Sequence, residues 1–393
     1  MKLAFFSGDM SRSGGTERVL SIIANGLADR GYEVVIFSLT GTGPSFYDLN
    51  PEIKIHWIGS RGLETDIVSN IKTLVRIMKD EKPDFLIDVD IILCFYSLIL
   101  KARFPKTKWI SWEHFNYYTK FPVNHNLRKV ARFLVSKFSG CLVVLSDEDK
   151  GYYQKNMNLR CRIERIYNPT PYEEMWENSS ANKSSCDVSD NENDTLDGFA
   201  EIARNCDLFD DKTKKDEKIA LAVGRLTRIK GYDMLLKSWR PVEKKHPDWK
   251  LRFVGDGEER ENLEAEAESL GLKNVEFVGR VDDVREYYKT ADFLVLSSRN
   301  EGFVMVLLEA MAYSLPAVAF ACKAGVKEVV KDSVNGYLVP PNDMKVLAKR
   351  MDKIISDDEK RRLMGQKAGE MIQQFRRDKI LDEWEKLFQD MRN

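Results

Sequence analysis

Lys2 to Leu39 reads KLAFFSGDMSRSGGTERVLSIIANGLADRGYEVVIFSL. It opens and closes on short runs rich in Val, Ile and Phe, "KLAFFS" and "YEVVIFSL". Between them "TERVLSIIANGLADRG" carries apolar residues at helical spacing and stops at Gly31. Strand, helix, strand is a βαβ unit. "DFLIDV" and "GCLVVLS" supply further buried-strand candidates, with the helical "NHNLRKVARFLVSKF" ahead of the second. The pattern restarts at "KIALAVGRL" (Lys218 to Leu226). It then alternates through helix "GYDMLLKSWRPVEKKH", strand "KLRFVGDG", helix "ERENLEAEAESLG", strand "VEFVGR", helix "DVREYYKTA", strand "DFLVLSS", a helix from about Phe303, and strand "PAVAF". Strands alternating with helices of this length imply a parallel, doubly wound sheet, and here the series runs twice.

The expectation is therefore an α/β fold of two doubly wound, Rossmann-like domains facing across a cleft. Ligands bind beyond the C-terminal ends of such strands, which makes that cleft the default site. We place an N-terminal domain at residues 1–172, a linker with an acidic insertion at 173–217, a second domain at 218–375, and a C-terminal helix at 376–393. The insertion, Asn178 to Glu217, is acidic, Ser/Asn-rich and poor in large apolar residues, which reads as a tolerated and partly disordered surface segment. Within it "GFAEIARNCDLF" could form a short helix. The last helix, "KILDEWEKLFQDM", should dock its Ile380, Trp384, Leu387 and Phe388 face and pack back across the domain junction.

Composition narrows the function classes. A chain of 393 residues, 43% hydrophobic and 31% charged, reads as soluble and globular. A net charge of -1 gives no reason to expect nucleic acid. Six scattered cysteines without a CxxC fit neither a disulfide framework nor a zinc site and suit a reducing compartment. The apolar run near the start is too short for a signal peptide, and "IILCFYSLIL" is half a membrane span. A cytoplasmic protein is expected.

The candidate chemistry sits in loops after predicted strands. In "SRSGGTE" (Ser11 to Glu17), Gly14 and Gly15 let backbone approach a ligand, and the helix that follows aims N–H groups at any anion there. Taken alone, a double glycine also suits a plain strand-to-helix turn, and the spacing is neither a dinucleotide GxGxxG nor a Walker loop. "VGRLTRIKG" (Val223 to Gly231) gathers Arg225, Arg228 and Lys230 at a strand end, either as a solvated basic loop or as a diphosphate clamp. In "SSRNEGFVMVLLEAMA" (Ser297 to Ala312), Glu301 and Glu309 stand eight residues apart. A continuous helix between them would rise roughly 12 Å. Paired glycosidase carboxylates lie about 5–9.5 Å apart, so a glycosidase pair is disfavoured. The spacing suits two ends of one extended ligand, although Glu309 could instead be capped by a nearby Arg or Lys.

Taken together, "GGTERVL", "VGRLTRIKG", "GDGEERENL", the E-x7-E of "EGFVMVLLEAMAYSLPAVAF" and "NGYLVPPND" resemble the retaining glycosyltransferases of family 4, which have the GT-B fold. The likeness runs in order over both halves, outside the acidic insertion. "WISWEHFN" and "GCLVVLSDEDKGYY" are further similar to bacterial transferases that extend lipid-linked saccharides. The resemblance implies a nucleotide-sugar donor, UDP-linked by expectation, and a saccharide or lipid-linked acceptor. By the same likeness Gly14 and Gly15 would approach the donor phosphates, and Arg225 and Lys230 would neutralise the diphosphate. Glu301 would bind hydroxyls of the transferred sugar and Glu309 the ribose diol. Gly302, Phe303 and Val304 would offer backbone N–H groups. Arg280 and Val281 fall where the family's backbone meets the base. His114 would lie near the transferred sugar and acceptor. No enzymic nucleophile is implied. Ser314, where the family commonly has Gly, and "ACKAGVKEVV" (Ala321 to Val330) depart from its pattern.

"DVD" (Asp88 to Asp90) imitates a metal-binding DxD but lies in the other half from the E-x7-E, so no metal and no other cofactor is expected. Lys101 to Gly140 holds nine Lys or Arg residues against one acid, Glu113, interleaved with aromatics such as Trp109, Trp112, Phe115 and Phe133. That composition suits peripheral contact with an anionic membrane, or a solvated basic helix over core aromatics. The competing functions are a GT-B nucleotide-sugar epimerase and a catalytically silent nucleotide-sugar-binding subunit. The missing GxGxxG argues against a nicotinamide dehydrogenase.

Overall fold

The computed structural model describes residues 1–59, 66–119, 125–172, 217–323 and 325–392. The acidic insertion up to residue 216, with its expected short helix, lies outside the described residues. The chain divides into two compact units, Met1–Pro171 with Phe375–Asn393, and Tyr172–Gln374.

The first unit is built on a seven-stranded sheet: β1 (Lys2–Ser7), β2 (Glu33–Ser38), β3 (Lys54–Trp57), β4 (Phe85–Asp88), β5 (Lys108–Trp112), β6 (Cys141–Val144) and β7 (Arg162–Arg165). Every pairing is parallel, in the order β3-β2-β1-β4-β5-β6-β7, so the winding reverses between β1 and β4. The second unit repeats this plan with β8 (Lys218–Val223), β9 (Trp249–Val254), β10 (Val275–Gly279), β11 (Phe293–Leu296), β12 (Ala317–Phe320) and β13 (Gly336–Val339). Its order is β10-β9-β8-β11-β12-β13, again wholly parallel. The expected fold of two doubly wound domains is what the chain forms.

Parallel sheets are covered on both faces, which is why their strands read as continuous apolar runs. Register sorts the residues of the first sheet: Leu3 stands beside Phe85 and Ala4 beside Leu86. Ala4, Phe6 and Leu86 face the helix Ile67–Glu81, where they meet Leu74 and Met78. Phe85 and Trp112 lie on the other face and meet the C-terminal helix Arg377–Arg392 through Phe388 and Trp384, with ring centroids 5.0 Å apart in each pair. All four residues expected to dock this helix are buried. Arg30, at the end of the helix Gly15–Asp29, clamps it further with bonds to Asp382 and Glu385 at 2.7 and 2.6 Å. The C-terminal helix thus belongs to the first unit.

Candidate functional site

The loops at the C-terminal ends of β8 to β12 are laced to one another. After β8 the backbone turns through a 3-10 turn, Arg228–Lys230, into the helix Tyr232–Lys245. Gly231 joins them at φ 67°, and a Cβ placed there would lie 2.1 Å from the Ser297 carbonyl oxygen. Only glycine fits so close an approach in the left-handed region. The loop after β11 is bound to this turn along its length. Ser297 Oγ donates to the Lys230 carbonyl at 2.9 Å, and the Arg299 amide to the Ile229 carbonyl at 2.8 Å. The Arg299 guanidinium grips Asp233 with two bonds of 2.7 and 2.6 Å, the two-pronged geometry that suits Arg to carboxylates. Those bonds are the main cause holding the Asp233 carboxyl below its usual range.

Within this frame Lys230 Nζ donates to Glu301 Oε1 at 2.7 Å, and Ser298 Oγ donates to the same oxygen at 2.5 Å. Both partners are largely shielded, with side chains 19% and 14% exposed. Glu301 is therefore held by a cation from one strand end and a hydroxyl from another.

Glu301 precedes the helix. The helix spans only Met305–Ala312, because Gly302, Phe303 and Val304 stay outside it and Val304 has an extended ψ of 91°. A continuous helical rise between the two glutamates is therefore replaced by a loop followed by one buried turn. Phe303 and Val304 are buried, and Gly325 abuts them: a Cβ there would lie 2.9 Å from the Gly302 carbonyl oxygen. Glu309 sits mid-helix and is 4% exposed, with Tyr288 Oη donating to its Oε2 at 2.5 Å.

The remaining second-unit candidates lie at the rim. Arg225 is exposed and pairs with Glu258 at 3.4 Å. Arg280 is exposed and Val281 half-buried, just beyond β10. The turn there is tight, since the Gly255 amide donates to the Gly279 carbonyl at 2.9 Å. Ser314, the departure noted in the sequence, has a left-handed φ of 53°.

Gly14, Gly15 and His114 belong to the first unit. Gly14 is the N-terminal cap of the helix Gly15–Asp29, with an extended ψ of 160°, and neither glycine has a positive φ. The Glu17 carboxyl folds back over Gly14, and burial is the main cause raising its pKa. His114 is buried after β5 with its ring 4.3 Å from that of Trp112, and its Nε2 has no hydrogen-bond partner. Burial pushes its pKa down to about 3, so the ring is neutral at working pH.

Beside it, Glu113 is closed in by Arg128 at 3.5 Å, Arg132 at 3.9 Å and the Tyr153 hydroxyl at 3.3 Å. Burial drives its carboxyl pKa upward, with nearby Asp90 adding to the shift and the two guanidinium groups opposing it. The DVD carboxylates are committed to this interior. Asp88 accepts from Ser97 and from Trp109 Nε1, while Asp90 holds Arg128 at 2.9 and 2.6 Å and caps the turn at Ile92. Among the described residues no cluster of three metal-ligating side chains occurs.

The basic, aromatic stretch divides in the structure. Trp109 and Trp112 are core residues, and Arg128 and Arg132 point inward. The helix His125–Phe138 instead exposes Leu127, Val130, Phe133 and Phe138, beside exposed Lys129. Among the described residues no helix is long and apolar enough to cross a membrane. Sequence reasoning missed Ser298, Asp233 and Tyr288. Asp233 and Tyr288 act through partners 66 and 21 residues away, whereas Ser298 bonds Glu301 three residues on, and only its strand-end position gave any signal.

Two doubly wound units with such a strand-end loop cluster on the second define the GT-B class of glycosyltransferases. The family model described as Glycosyltransferase Family 4 matches residues 13–174, and that of Glycosyl transferases group 1 matches residues 206–371. The chain is 32% identical to an uncharacterized glycosyltransferase of Haemophilus influenzae, covering 98% of each chain. It is 30% identical to the Campylobacter jejuni α-1,4-N-acetyl-D-galactosaminyltransferase acting on a GalNAc-GalNAc-diNAcBac-PP-undecaprenol, covering 100% of this chain and 99% of that one. Among solved structures, Anabaena HepE in complex with UDP superposes with a TM-score of 0.75 at 18% identity, over 99% of this chain and all of the other. The chain belongs to glycosyltransferase family 4.

Proposed function

We propose that this glycosyltransferase moves a sugar from a UDP-sugar to a saccharide or lipid-linked saccharide acceptor, with retention of anomeric configuration. The observation that carries the reading is the Lys230–Glu301 contact, which sets a cation and a carboxylate side by side where two strand-end loops meet. Lys230 has three N–H donors, one of which goes to Glu301. It neutralises charge on the departing diphosphate, together with Arg225, while Glu301 accepts from hydroxyls of the sugar. The C1–O bond to the diphosphate breaks, and a bond from C1 to the acceptor oxygen forms on the same face. The acceptor proton passes to a departing diphosphate oxygen. Cations fixed in advance where negative charge develops are an effective form of electrostatic catalysis. Glu309 takes the ribose, the backbone near Arg280 and Val281 meets the base, and Gly302 to Val304 present N–H groups to sugar or phosphate. In the first unit Gly14 and Gly15 approach the phosphates, and neutral His114 offers Nε2 to the sugar or acceptor.

The UDP complex of HepE and the lipid-linked acceptor of the Campylobacter relative support the choice of substrates. The reaction proposed needs no metal, in keeping with the engagement of both DVD carboxylates by other side chains. Peripheral contact with an anionic membrane is proposed through the exposed apolar residues and Lys129 of the helix His125–Phe138. The test is a thermal-shift panel of UDP-, GDP- and ADP-sugars in chelator, on wild type and Glu309→Ala. A ligand that binds only the folded protein raises its melting temperature. One UDP-sugar should stabilise wild type and not the variant; no response to any nucleotide-sugar would overturn the donor assignment.

A further inference from the structure

Glu309 poses a physical problem that its neighbours solve. It sits on the helix Met305–Ala312 between buried Leu308 and Ala310, and is itself 4% exposed. A carboxylate there is costly unless hydrogen-bonded. The Tyr288 hydroxyl donates to its Oε2 at 2.5 Å, within the range of about 2.5–2.7 Å for strong O–H···O⁻ bonds. Tyr288 comes from a different element, the helix Arg285–Thr290, and its side chain is fully buried. Its ring stacks on Tyr313 at 5.7 Å and 14°, and Tyr172 packs edgewise on both rings. The hydroxyl is thus aimed by two further aromatics, and the carboxylate it meets has one face fixed. An apolar pair of the same volume would serve stability as well or better than a buried polar pair. What the tyrosine adds is a defined orientation for the carboxylate.

We propose that Tyr288 is a positioning residue: by holding Glu309 Oε2 it sets the carboxylate for the ribose diol, and so makes the site selective for ribonucleotides over nucleotides lacking ribose hydroxyls. This rests on the reading of Glu309 as the ribose ligand and is independent of which base the donor carries.

The experiment measures Kd by calorimetry for UDP and 2′,3′-dideoxy-UDP, with the GDP and ADP pairs in parallel. The full-length proteins are wild type, Tyr288→Phe, Glu309→Gln and the double variant. Wild type should prefer the ribonucleotide. Tyr288→Phe should lose about tenfold in affinity for it, as expected for a bond to a charged group, with the dideoxy form unchanged. In the Glu309→Gln background Tyr288→Phe should change the preference no further. Donor KM should rise about tenfold in Tyr288→Phe while kcat stays within about threefold, the pattern of a contact made equally in ground and transition states.

Equal weakening of both nucleotide forms would make Tyr288 a packing residue and overturn the proposal, as would no change in either. Should Tyr288→Phe fail to fold, Glu309→Gln decides alone, since an equal loss of both forms there is also fatal. A wild type indifferent to the ribose hydroxyls removes Glu309 from the ribose and this inference with it. UDP-sugar binding and turnover in the same samples then show whether the glycosyltransfer reading stands without it.

Discussion

Lys230 Nζ and Glu301 Oε1 lie 2.7 Å apart, although the residues are 71 positions apart in the chain. Neither loop alone makes this pair: Gly231, Ser297 and Arg299 bring the two backbones into register. Removing the cation should therefore cost chemistry more than binding. Lys230→Ala is expected to lower kcat by about 10²–10³, the usual loss for one fixed group that stabilises developing negative charge. Glu301→Gln should lower it too, and the two losses should be far from additive because the side chains touch. Steady-state nucleotide release on the two single variants and the double variant measures this. Additive losses would mean that the contact does not couple the two roles.

Gly231→Ala tests the frame and not the chemistry. The added methyl meets the Ser297 carbonyl at 2.1 Å in a left-handed backbone. We expect a loss of about 2–3 kcal/mol. That is a fall of roughly 5–10 °C in the melting of the second unit. Calorimetry of the variant, with turnover on the surviving folded protein, checks both.

Ser314→Gly runs the other way. Ser314 holds φ 53° at the end of the helix Met305–Ala312, and its amide bonds to Met311 at 2.9 Å. A side chain there costs about 1–2 kcal/mol in backbone strain, while glycine loses more freedom on folding. The expected balance is a gain of up to ~1 kcal/mol for Gly and a loss of more than ~1 kcal/mol for Ser314→Val, read from denaturation midpoints.

His114 gives a pH prediction. A base whose pKa is depressed in the fold contributes stability that is fully present above its unfolded value of about 6.5. That stability drains as pH falls towards about 3. The slope from this group reaches ~1.4 kcal/mol per pH unit. His114→Gln should therefore flatten the loss of melting temperature between about pH 6.5 and 4.5 relative to wild type. In kinetics, kcat/KM between about pH 5.5 and 8 should show no ionisation that disappears in the same variant. An inflection near pH 6.5 that vanishes with His114 would mean that the ring is far less buried in catalysis.

The exposed face of the helix His125–Phe138 should read out on vesicles. Replacing Val130 and Phe133 by Ser removes two exposed apolar side chains, one of them 54% exposed. Insertion of one such ring is worth about 1.5–3 kcal/mol. Binding to anionic vesicles should drop by roughly tenfold or more, with the melting temperature unchanged. Equal binding of wild type to neutral and anionic vesicles would sink the electrostatic part of the proposal.

Much of this molecule was legible from periodicity. The central strands are continuous apolar runs such as "LAFF" and "ALAV", buried on both faces, and their pattern could hardly be misread. The outer strands were harder. β7 is "RIER", an edge strand with two arginines and a glutamate, and β3 is "KIHW"; neither has an apolar run to announce it. β5 was hidden by its own composition, since Trp109 and Trp112 among lysines suited a membrane-facing surface as well as a core; they are core residues on opposite faces of the sheet. In the site, positions could be inferred from strand ends, but partnerships could not. Nothing in "REYYKT" says that its second tyrosine will meet Glu309. Nor does "NLRKVARFL" say that its two arginines turn inward to Asp90 and Glu113 while Leu127 and Phe133 face out. Those choices are made by elements distant in sequence, where local pattern carries no information.

The helix Arg377–Arg392 fills the core of the unit that begins at Met1. During synthesis the first unit therefore waits with Phe85 and Trp112 uncovered while the whole of Tyr172–Gln374 emerges. Domains usually fold in the order they leave the ribosome, at about 5–20 residues per second. Here the order is inverted: the strands of the first unit emerge first, yet the second unit is complete before it, because the first closes only once the helix Arg377–Arg392 has followed. A nascent protein paused before Trp384 would be a finished carboxyl-side domain tethered to an amino-side one with a sticky flank, the kind of intermediate on which a chaperone acts.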